Sequence, residues 1–251
     1  MRFCRFSYKG QVRWGILEGE GVRPLLTSPF TGVKDEGELL PLKEVKLLAP
    51  VEPSKIVCLG LNYADHAQEF KLEVPEEPII FLKPPTSVIG PGDEIMLPSV
   101  SRRVDYEAEL AVIIGREAYR VPEEQAIKYV FGYTCANDVT ARDLQKKDGQ
   151  WTRSKSFNTF CPLGPWIETD LDPSNLSIKL LLNGQVKQQS STANLIFKIP
   201  SIVAFISSVM TLLPGDVILT GTPSGVGPIK PGDVVEVEIE GIGTLKNVVK
   251  E

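Results

Sequence analysis

The sequence contains a single histidine, His66, among 251 residues. Zinc-protease helices and the two-histidine, one-carboxylate iron site each require at least two histidines, so both are excluded within this chain. Cysteine is also scarce, and no two cysteines form a C-x-x-C pair. The pattern indicates reduced thiols in a cytoplasmic protein, rather than a disulfide framework, for the four positions Cys4, Cys58, Cys135 and Cys161.

Positive charge is not concentrated anywhere along the chain. Lys and Arg number 27 against 32 Asp and Glu, for a net charge of −5. We therefore expect neither nucleic acid nor an anionic membrane surface as a partner. The longest uncharged stretch, 199–215, contains two prolines and four hydroxyl residues and is shorter than the roughly 20 apolar residues of a membrane span. It predicts a core-packed helix over 200–212.

What is present is an ordinary globular composition, 42% hydrophobic and 24% charged, with 21 glycines and 20 prolines. So many glycines and prolines indicate frequent turns, and frequent turns favour strands over long helices. The predicted fold class is therefore α+β, mostly β. Residues 1–50 alternate apolar and polar side chains and predict a small β-rich domain. A proline-rich linker at 49–53 then separates it from a larger domain over 54–251.

Turn motifs predict where several strands of the larger domain begin. Pro-Gly-Asp occurs at 91–93, 214–216 and 231–233, each time before an apolar strand, and Asn183-Gly184 predicts a hairpin. Helical patterns are shorter and fewer, and they predict helices over 64–71, 122–130, 140–146 and 200–212.

An acidic strand is the first candidate for chemistry. Asp105, Glu107 and Glu109 alternate with other residues and lead into an apolar run, so we expect them to share one face of a strand. The simpler interpretation is a solvated acidic face. The apolar run that follows indicates burial instead, and buried like charges repel unless a cation lies among them.

Asp138 follows the apolar strand 130–134, where a loop turns into a short predicted helix. By itself Asp138 would most often be a helix N-cap. As a third carboxylate beside Glu107 and Glu109, it would complete an all-oxygen site suited to Mg²⁺ or Mn²⁺.

Four further side chains are candidates with weaker signals. His66 and Glu69 form H-x-x-E, which on a helix lets the carboxylate orient the imidazole, although an ordinary surface helix fits equally well. Lys155 alone carries almost no signal. The glycine-rich segment 220–227 lacks the features of a nucleotide loop, so backbone N–H groups or Thr222 are expected to meet a substrate carboxylate there.

Together these segments resemble the fumarylacetoacetate hydrolase family over about residues 54–249. The resemblance is carried by six motifs in order: Gly-Leu-Asn-Tyr-x-x-His-x-x-Glu at 60–69, Asp-Tyr-Glu-x-Glu-Leu at 105–110, Asn-Asp-Val-Thr-Ala-Arg-Asp-x-Gln at 137–145, Lys-Ser-Phe at 155–157, Pro-Leu-Gly-Pro at 162–165 and Thr-Gly-Thr-Pro-x-Gly-Val-Gly at 220–227. Residues 1–50 resemble the small N-terminal extension of many bacterial and archaeal members.

The resemblance implies a mixed β-roll, a homodimer and a Mg²⁺ or Mn²⁺ cofactor. It assigns the metal ligands to Glu107, Glu109 and Asp138. It makes His66 with Glu69 a water-activating dyad and Lys155 the group that stabilises a developing enolate. The substrate-binding residues that it implies are Arg142, Gln145 and Thr222.

Such a site implies an enzyme acting on 2-oxo or 2-hydroxydienoic acids through an enolate that the metal stabilises. A 2-hydroxyhepta-2,4-diene-1,7-dioate isomerase is the preferred prediction. Acylpyruvate C–C hydrolase and oxaloacetate decarboxylase remain open, and Leu61 argues against the acylpyruvase, in which arginine is frequent at this position. Asn158 replaces a frequent aspartate, with a local effect only. The alternative from another class is a non-catalytic β-domain that binds a structural cation, in which His66 and Lys155 would lie far from Glu107.

Overall fold

A computed structural model describes residues 1–65 and 73–251 of the chain. The predicted helix over 64–71, with His66 and Glu69, lies almost wholly outside the described residues. Within them the fold is α+β and mostly β, as predicted. None of the helices in these two ranges is long and apolar enough to cross a membrane.

The strands form a first group in the N-terminal half of the chain. They are β1 Arg2–Tyr8, β2 Gln11–Glu18, β3 Gly21–Leu25, β4 Leu40–Pro41, β5 Lys46–Leu48, β6 Ile56–Leu59, β7 Ile80–Lys83, β8 Val88–Ile89, β9 Glu94–Met96, β10 Val104–Tyr106 and β11 Ala108–Ile114. The second group comprises β12 Val130–Asn137, β13 Thr140–Ala141, β14 Cys161–Glu168, β15 Ser177–Leu182, β16 Gln185–Ser191, β17 Val217–Leu219, β18 Gly227–Pro228, β19 Val234–Ile239 and β20 Gly243–Lys250.

The described helices are short and lie near three of the predicted positions. They are α1 Glu123–Ala126, α2 Arg142–Asp148, α3 Thr152–Lys155 and α4 Ile199–Val209. Single 3-10 turns occupy Pro29–Thr31, Leu42–Glu44, Pro85–Ser87, Ile127–Tyr129, Pro173–Asn175 and Thr192–Asn194. The helix predicted over 140–146 begins two residues late, because Thr140 and Ala141 pair with β10 instead. The one predicted over 200–212 ends at Val209.

A large mixed sheet forms the centre of the fold. Its strand order is β4-β3-β2-β1-β14-β12-β11-β17-β6-β7, with β5 added at β1 and β8 at β14. Strands β6, β11 and β17 are buried along their whole length. Their continuous apolar sequences are therefore those of central strands covered on both faces. The N-terminal strands join this sheet through antiparallel pairing of β1 with β14.

A second sheet, β16-β15-β19-β20-β9, shares a hydrophobic core with the large one, and the third is the small sheet β13-β10-β18. Each predicted Pro-Gly-Asp turn precedes a strand, and its glycine has a positive φ of 76° to 89°. Asn183 and Gly184 have φ of 53° and 76°, as expected for a tight hairpin turn between β15 and β16. The turn motifs thus lie directly before strands, and at the hairpin, as predicted.

Candidate metal centre and active site

Glu107 lies where the chain passes from one sheet to another. β10 belongs to the small sheet, β11 belongs to the large sheet, and Glu107 is the single residue between them. Its backbone N–H donates to Asn137 Oδ1 at 2.9 Å, and its carbonyl accepts from the Asp138 N–H at 2.9 Å. The pairing of Ala108 with Asn137 therefore sets Asp138 beside Glu107. The predicted continuous strand is interrupted at this residue.

Three carboxylates meet at this crossing. Glu107, Glu109 and Asp138 are all buried, and each offers an oxygen within 4.8 Å of the others. The solvated acidic face considered from the sequence is therefore wrong for these residues. The N-cap interpretation of Asp138 is also wrong, because Ala141 occupies the cap position of α2 and the Asp138 side chain points to two lysines.

Two buried lysines accompany the carboxylates. Lys155 Nζ donates to Glu107 Oε2 at 2.9 Å and to Asp138 Oδ2 at 2.6 Å. Lys83 Nζ donates to Asp138 Oδ1 at 2.5 Å and to the Val139 carbonyl at 3.2 Å. The predictions from the sequence missed Lys83. Its one signal is a lysine at the end of the apolar segment Ile-Ile-Phe-Leu, an unusual position for a solvated side chain.

The charges around the three carboxylates are unequally compensated. Burial raises the pKa of Glu107, but Lys155 and Arg142 outweigh burial and hold that pKa at about 2. Burial raises the pKa of Glu109 well above its ordinary value, and the charges of Asp138 and Glu107 raise it further. Burial lowers the pKa of Lys155, yet Asp138 and Glu107 more than reverse this and raise it. Lys155 is therefore a firmly protonated ammonium.

Glu109 is the carboxylate whose charge a bound cation would compensate. Among the described residues its side chain accepts one hydrogen bond, from the Gly221 N–H at 2.6 Å, and it forms no ion pair with them. Two neighbouring carboxylates disfavour its ionisation, whereas a divalent cation among the three would favour it. The donor set is all oxygen, which suits Mg²⁺ or Mn²⁺. The residues present therefore fit such an ion.

Arg142 links the carboxylates to the outer part of the site. Its Nη2 donates to Glu107 Oε1, its Nε donates to Asp105 Oδ2 at 2.9 Å, and its Nη1 donates to Gln145 Oε1 at 2.7 Å. Asp105 is fully buried and also accepts two hydrogen bonds from Arg103. The structure thus places Arg142 and Gln145 next to the carboxylates.

Thr222 lies on the opposite side, in the glycine-rich segment. Its Oγ1 accepts from Gln188 Nε2 at 2.9 Å, and the same amide nitrogen donates to the Pro223 carbonyl. Gln188 Oε1 accepts from the Ala108 N–H, so one side chain ties β16, β11 and this segment together. Within this segment the backbone N–H of Gly221 donates to Glu109, and the expectation that the segment meets a substrate carboxylate stays a prediction.

A cavity of about 500 Å³ opens onto these groups. Its apolar wall includes Leu59, Leu61, Phe81 and Trp151. Its polar lining consists of Arg103, Asp105, Glu107, Glu109, Arg142, Gln145, Lys146, Lys155 and Thr222. A cavity of this size with convergent polar groups is typical of a small-molecule site. His66 and Glu69 lie outside the described residues, and the dyad stays a prediction.

Comparison with known proteins agrees with this geometry. Residues 55–250 match the family profile "Fumarylacetoacetate (FAA) hydrolase C-terminal", and residues 1–50 match the profile "Rv2993c-like, N-terminal". A mitochondrial oxaloacetate tautomerase, Fahd2a of Rattus norvegicus, is 46% identical over 223 residues, covering 84% of this chain and 71% of the relative.

Two solved structures are also similar. The 2-hydroxyhepta-2,4-diene-1,7-dioate isomerase of Mycobacterium marinum superposes with a TM-score of 0.94 at 47% identity, covering 100% of this chain and 98% of the other. The maleylpyruvate hydrolase of Sphingobium sp. SYK-6, in complex with manganese(II) and pyruvate, has a TM-score of 0.82 at 32% identity, covering 100% and 99%. The chain therefore belongs to the fumarylacetoacetate hydrolase family.

Proposed function

We propose that this protein is a Mg²⁺- or Mn²⁺-dependent enzyme that isomerises 2-oxo or 2-hydroxydienoic acids through an enolate. The buried triad of Glu107, Glu109 and Asp138, with Lys155 beside it in a 500 Å³ cavity, carries the proposal. The isomerase of M. marinum and the rat oxaloacetate tautomerase support this reaction class. The manganese complex of the SYK-6 hydrolase supports the cofactor.

The triad residues would hold the cation, which when bound supplies Lewis-acid polarisation of the substrate's 2-oxygen. The remaining chemistry falls to protein groups. Lys155 keeps its Nζ protonated and would donate a hydrogen bond to oxygen on which negative charge develops. Arg142 and Gln145, already hydrogen bonded to each other, would orient the substrate's carboxylate.

Part of the cavity lining beside Lys155 is apolar. Leu59, Leu61 and Phe81 form an apolar wall beside Lys155, whose Nζ lies 5.0 Å from the centre of the Phe81 ring. In such surroundings a fixed ammonium stabilises an oxyanion more strongly than it would in water. Isomerisation needs only proton movement between carbon and oxygen, so this arrangement suits it without an activated water.

A C–C hydrolase is the second candidate, because the SYK-6 relative is named as a maleylpyruvate hydrolase. In that reaction, His66 with Glu69 would deprotonate water for attack on a 4-oxo group. Oxaloacetate decarboxylation would use the same enolate stabilisation. We further propose that the protein is a cytoplasmic homodimer with reduced thiols. The four cysteines, all buried and unpaired, are consistent with reduced thiols.

A substrate panel tests the proposed function. The purified protein, treated with EDTA and restored with Mg²⁺ or Mn²⁺, is assayed with the dienedioate, oxaloacetate, acetylpyruvate, fumarylpyruvate and fumarylacetoacetate. We expect metal-dependent isomerisation of the dienedioate or tautomerisation of oxaloacetate. Full activity in chelator contradicts the metal requirement. Turnover of fumarylacetoacetate alone contradicts the substrate class, because that compound lacks the 2-oxo acid group.

A further inference from the structure

Three cationic side chains and one carboxylate line the outer part of the cavity. Arg103, Arg142 and Lys146 line it together with Asp105, and we call the three cations the cationic rim. Asp105 Oδ1 accepts from Arg103 Nε at 2.9 Å, while Oδ2 accepts from Arg103 Nη2 at 3.2 Å and Arg142 Nε at 2.9 Å. Asp105 pairs with both guanidinium groups, and Glu107 pairs with Arg142 as well. The three cations of the rim therefore exceed these two carboxylates by one positive charge.

Backbone hydrogen bonds and the α2 helix position the residues of the cationic rim. The Arg142 N–H donates to the Arg103 carbonyl at 2.8 Å, so the two arginines start from adjacent chain segments. Lys146 lies four residues after Arg142 on α2 and shares its face. Asp143 secures the segment before Arg103, because its carboxylate accepts from Ser101 Oγ at 2.6 Å and from the Arg102 N–H at 3.0 Å.

The cationic rim offers N–H donors to a ligand in the cavity. Asp105 takes two of the five N–H donors of Arg103, whose side chain is 54% exposed. Lys146 is exposed and forms no ion pair with any residue in 1–65 or 73–251. Cations concentrated at the opening of an apolar-walled cavity attract anions and can hold a carboxylate by charge-assisted hydrogen bonds.

We propose that Arg103 and Lys146 bind the second carboxylate of the substrate, so that the site selects dicarboxylic 2-oxo or 2-hydroxydienoic acids over monocarboxylic ones. This specificity role rests on the proposed function, in which Arg142 and Gln145 orient the first carboxylate of the same molecule beside the triad. Glu107 and Glu109 of the triad line the same cavity as Arg103 and Lys146, so the triad and the cationic rim border one space. A dianionic substrate can reach both ends of it.

Two matched ligands test this assignment. 2-Oxoadipate and 2-oxohexanoate have the same chain length and the same 2-oxo acid group, and they differ in the terminal carboxylate. Their dissociation constants are measured calorimetrically with saturating Mg²⁺. We expect the wild-type protein to bind 2-oxoadipate at least about 10-fold more tightly than 2-oxohexanoate, because one charge-assisted hydrogen bond contributes about this factor to the affinity. The double variant R103Q/K146Q should lose this preference and keep the affinity for 2-oxohexanoate within about threefold.

The control is R102Q/K147Q, which removes the neighbouring arginine and lysine. Neither of these lines the cavity, so the preference should remain. The single variant K146Q, at an exposed position, guards against misfolding and should lower the preference partially. Equal affinities in the wild type, or an unchanged preference in R103Q/K146Q, would overturn the assignment and leave the proposed function standing. Failure of the wild type to bind either acid would overturn both.

Discussion

At the scale of single residues, the site depends on how two lysines share the charge of Asp138. Lys83 and Lys155 donate to its two different oxygens, at 2.5 and 2.6 Å, and all three side chains are buried. A buried ion pair contributes little net stability, but removing one partner leaves an uncompensated charge. Lys83, which forms no bond to Glu107 or Glu109 among the described residues, is therefore a structural counter-ion of the site.

Replacing Lys83 with methionine should lower the free energy of unfolding by about 3–5 kcal/mol, because Asp138 loses one of its cations in the interior. Urea denaturation in EDTA measures this value. The matched control is Lys179→Met, whose pair with Glu238 is 3.6 Å long and partly exposed, and which should cost less than about 1 kcal/mol. Equal effects of the two substitutions would contradict the buried ion pair.

His66 provides the residue-scale diagnostic of reaction type. If it is the general base for water, His66→Ala should reduce C–C hydrolysis by about 10²–10⁴-fold without changing metal affinity. Isomerase or decarboxylase activity should survive the substitution, because neither reaction needs activated water. Initial rates with acetylpyruvate and with oxaloacetate, measured on the same preparation, separate the two cases. Unchanged hydrolysis would exclude His66 as the base.

At the scale of elements, the transition from β10 to β11 builds the site. Alternation along one strand predicted a common face for Asp105, Glu107 and Glu109, and the three are buried as the adjacent apolar run implied. Alternation cannot predict that the chain changes sheets at Glu107, because that change depends on Asn137 and on pairing with distant β13 and β18. The role of Lys83 could not be predicted for the same reason, because only the tertiary fold brings β7 to Asp138.

Asn137→Ala should therefore weaken metal binding without removing a ligand. The substitution leaves the buried Glu107 N–H without its acceptor and frees the residue that joins the two sheets. We expect a loss of about 10–100-fold in Mn²⁺ affinity, as for other groups that orient metal ligands. Titration by electron paramagnetic resonance measures it, with Asn183→Ala in the remote hairpin as the control. A Mn²⁺ affinity equal to that of wild type would show that Glu107 needs no such support.

At the scale of the whole molecule, the N-terminal strands and residues 54–251 share one core. Phe3 is 2% exposed and packs with Ile167, Val217 and other buried side chains of residues 54–251. The centre of its ring lies 5.2 Å from that of the Phe131 ring. The sequence indicated a change of pattern near residue 50 but not this shared packing. Apolar alternation shows which face of β1 is buried, whereas its partner strand β14 lies more than 150 residues away.

Phe3→Ala should consequently destabilise the entire chain by about 3–5 kcal/mol and keep a single unfolding transition. Urea denaturation followed by tryptophan fluorescence and by far-ultraviolet circular dichroism should give coincident curves. The control Val12→Ala, at a position 56% exposed, should change stability by less than about 0.5 kcal/mol. Two separate transitions would show that residues 1–50 unfold independently.

Mn²⁺ binding is the sharpest test of the proposal that the buried triad holds a catalytic divalent cation. Glu109→Gln removes the charge of the one triad carboxylate that has no cationic partner among the described residues and preserves its shape. We predict that the wild-type protein binds one Mn²⁺ per chain, that pyruvate perturbs its resonance, and that Glu109→Gln weakens binding by at least about 100-fold. Unchanged Mn²⁺ affinity in this variant, or no binding by the wild type, would contradict the account.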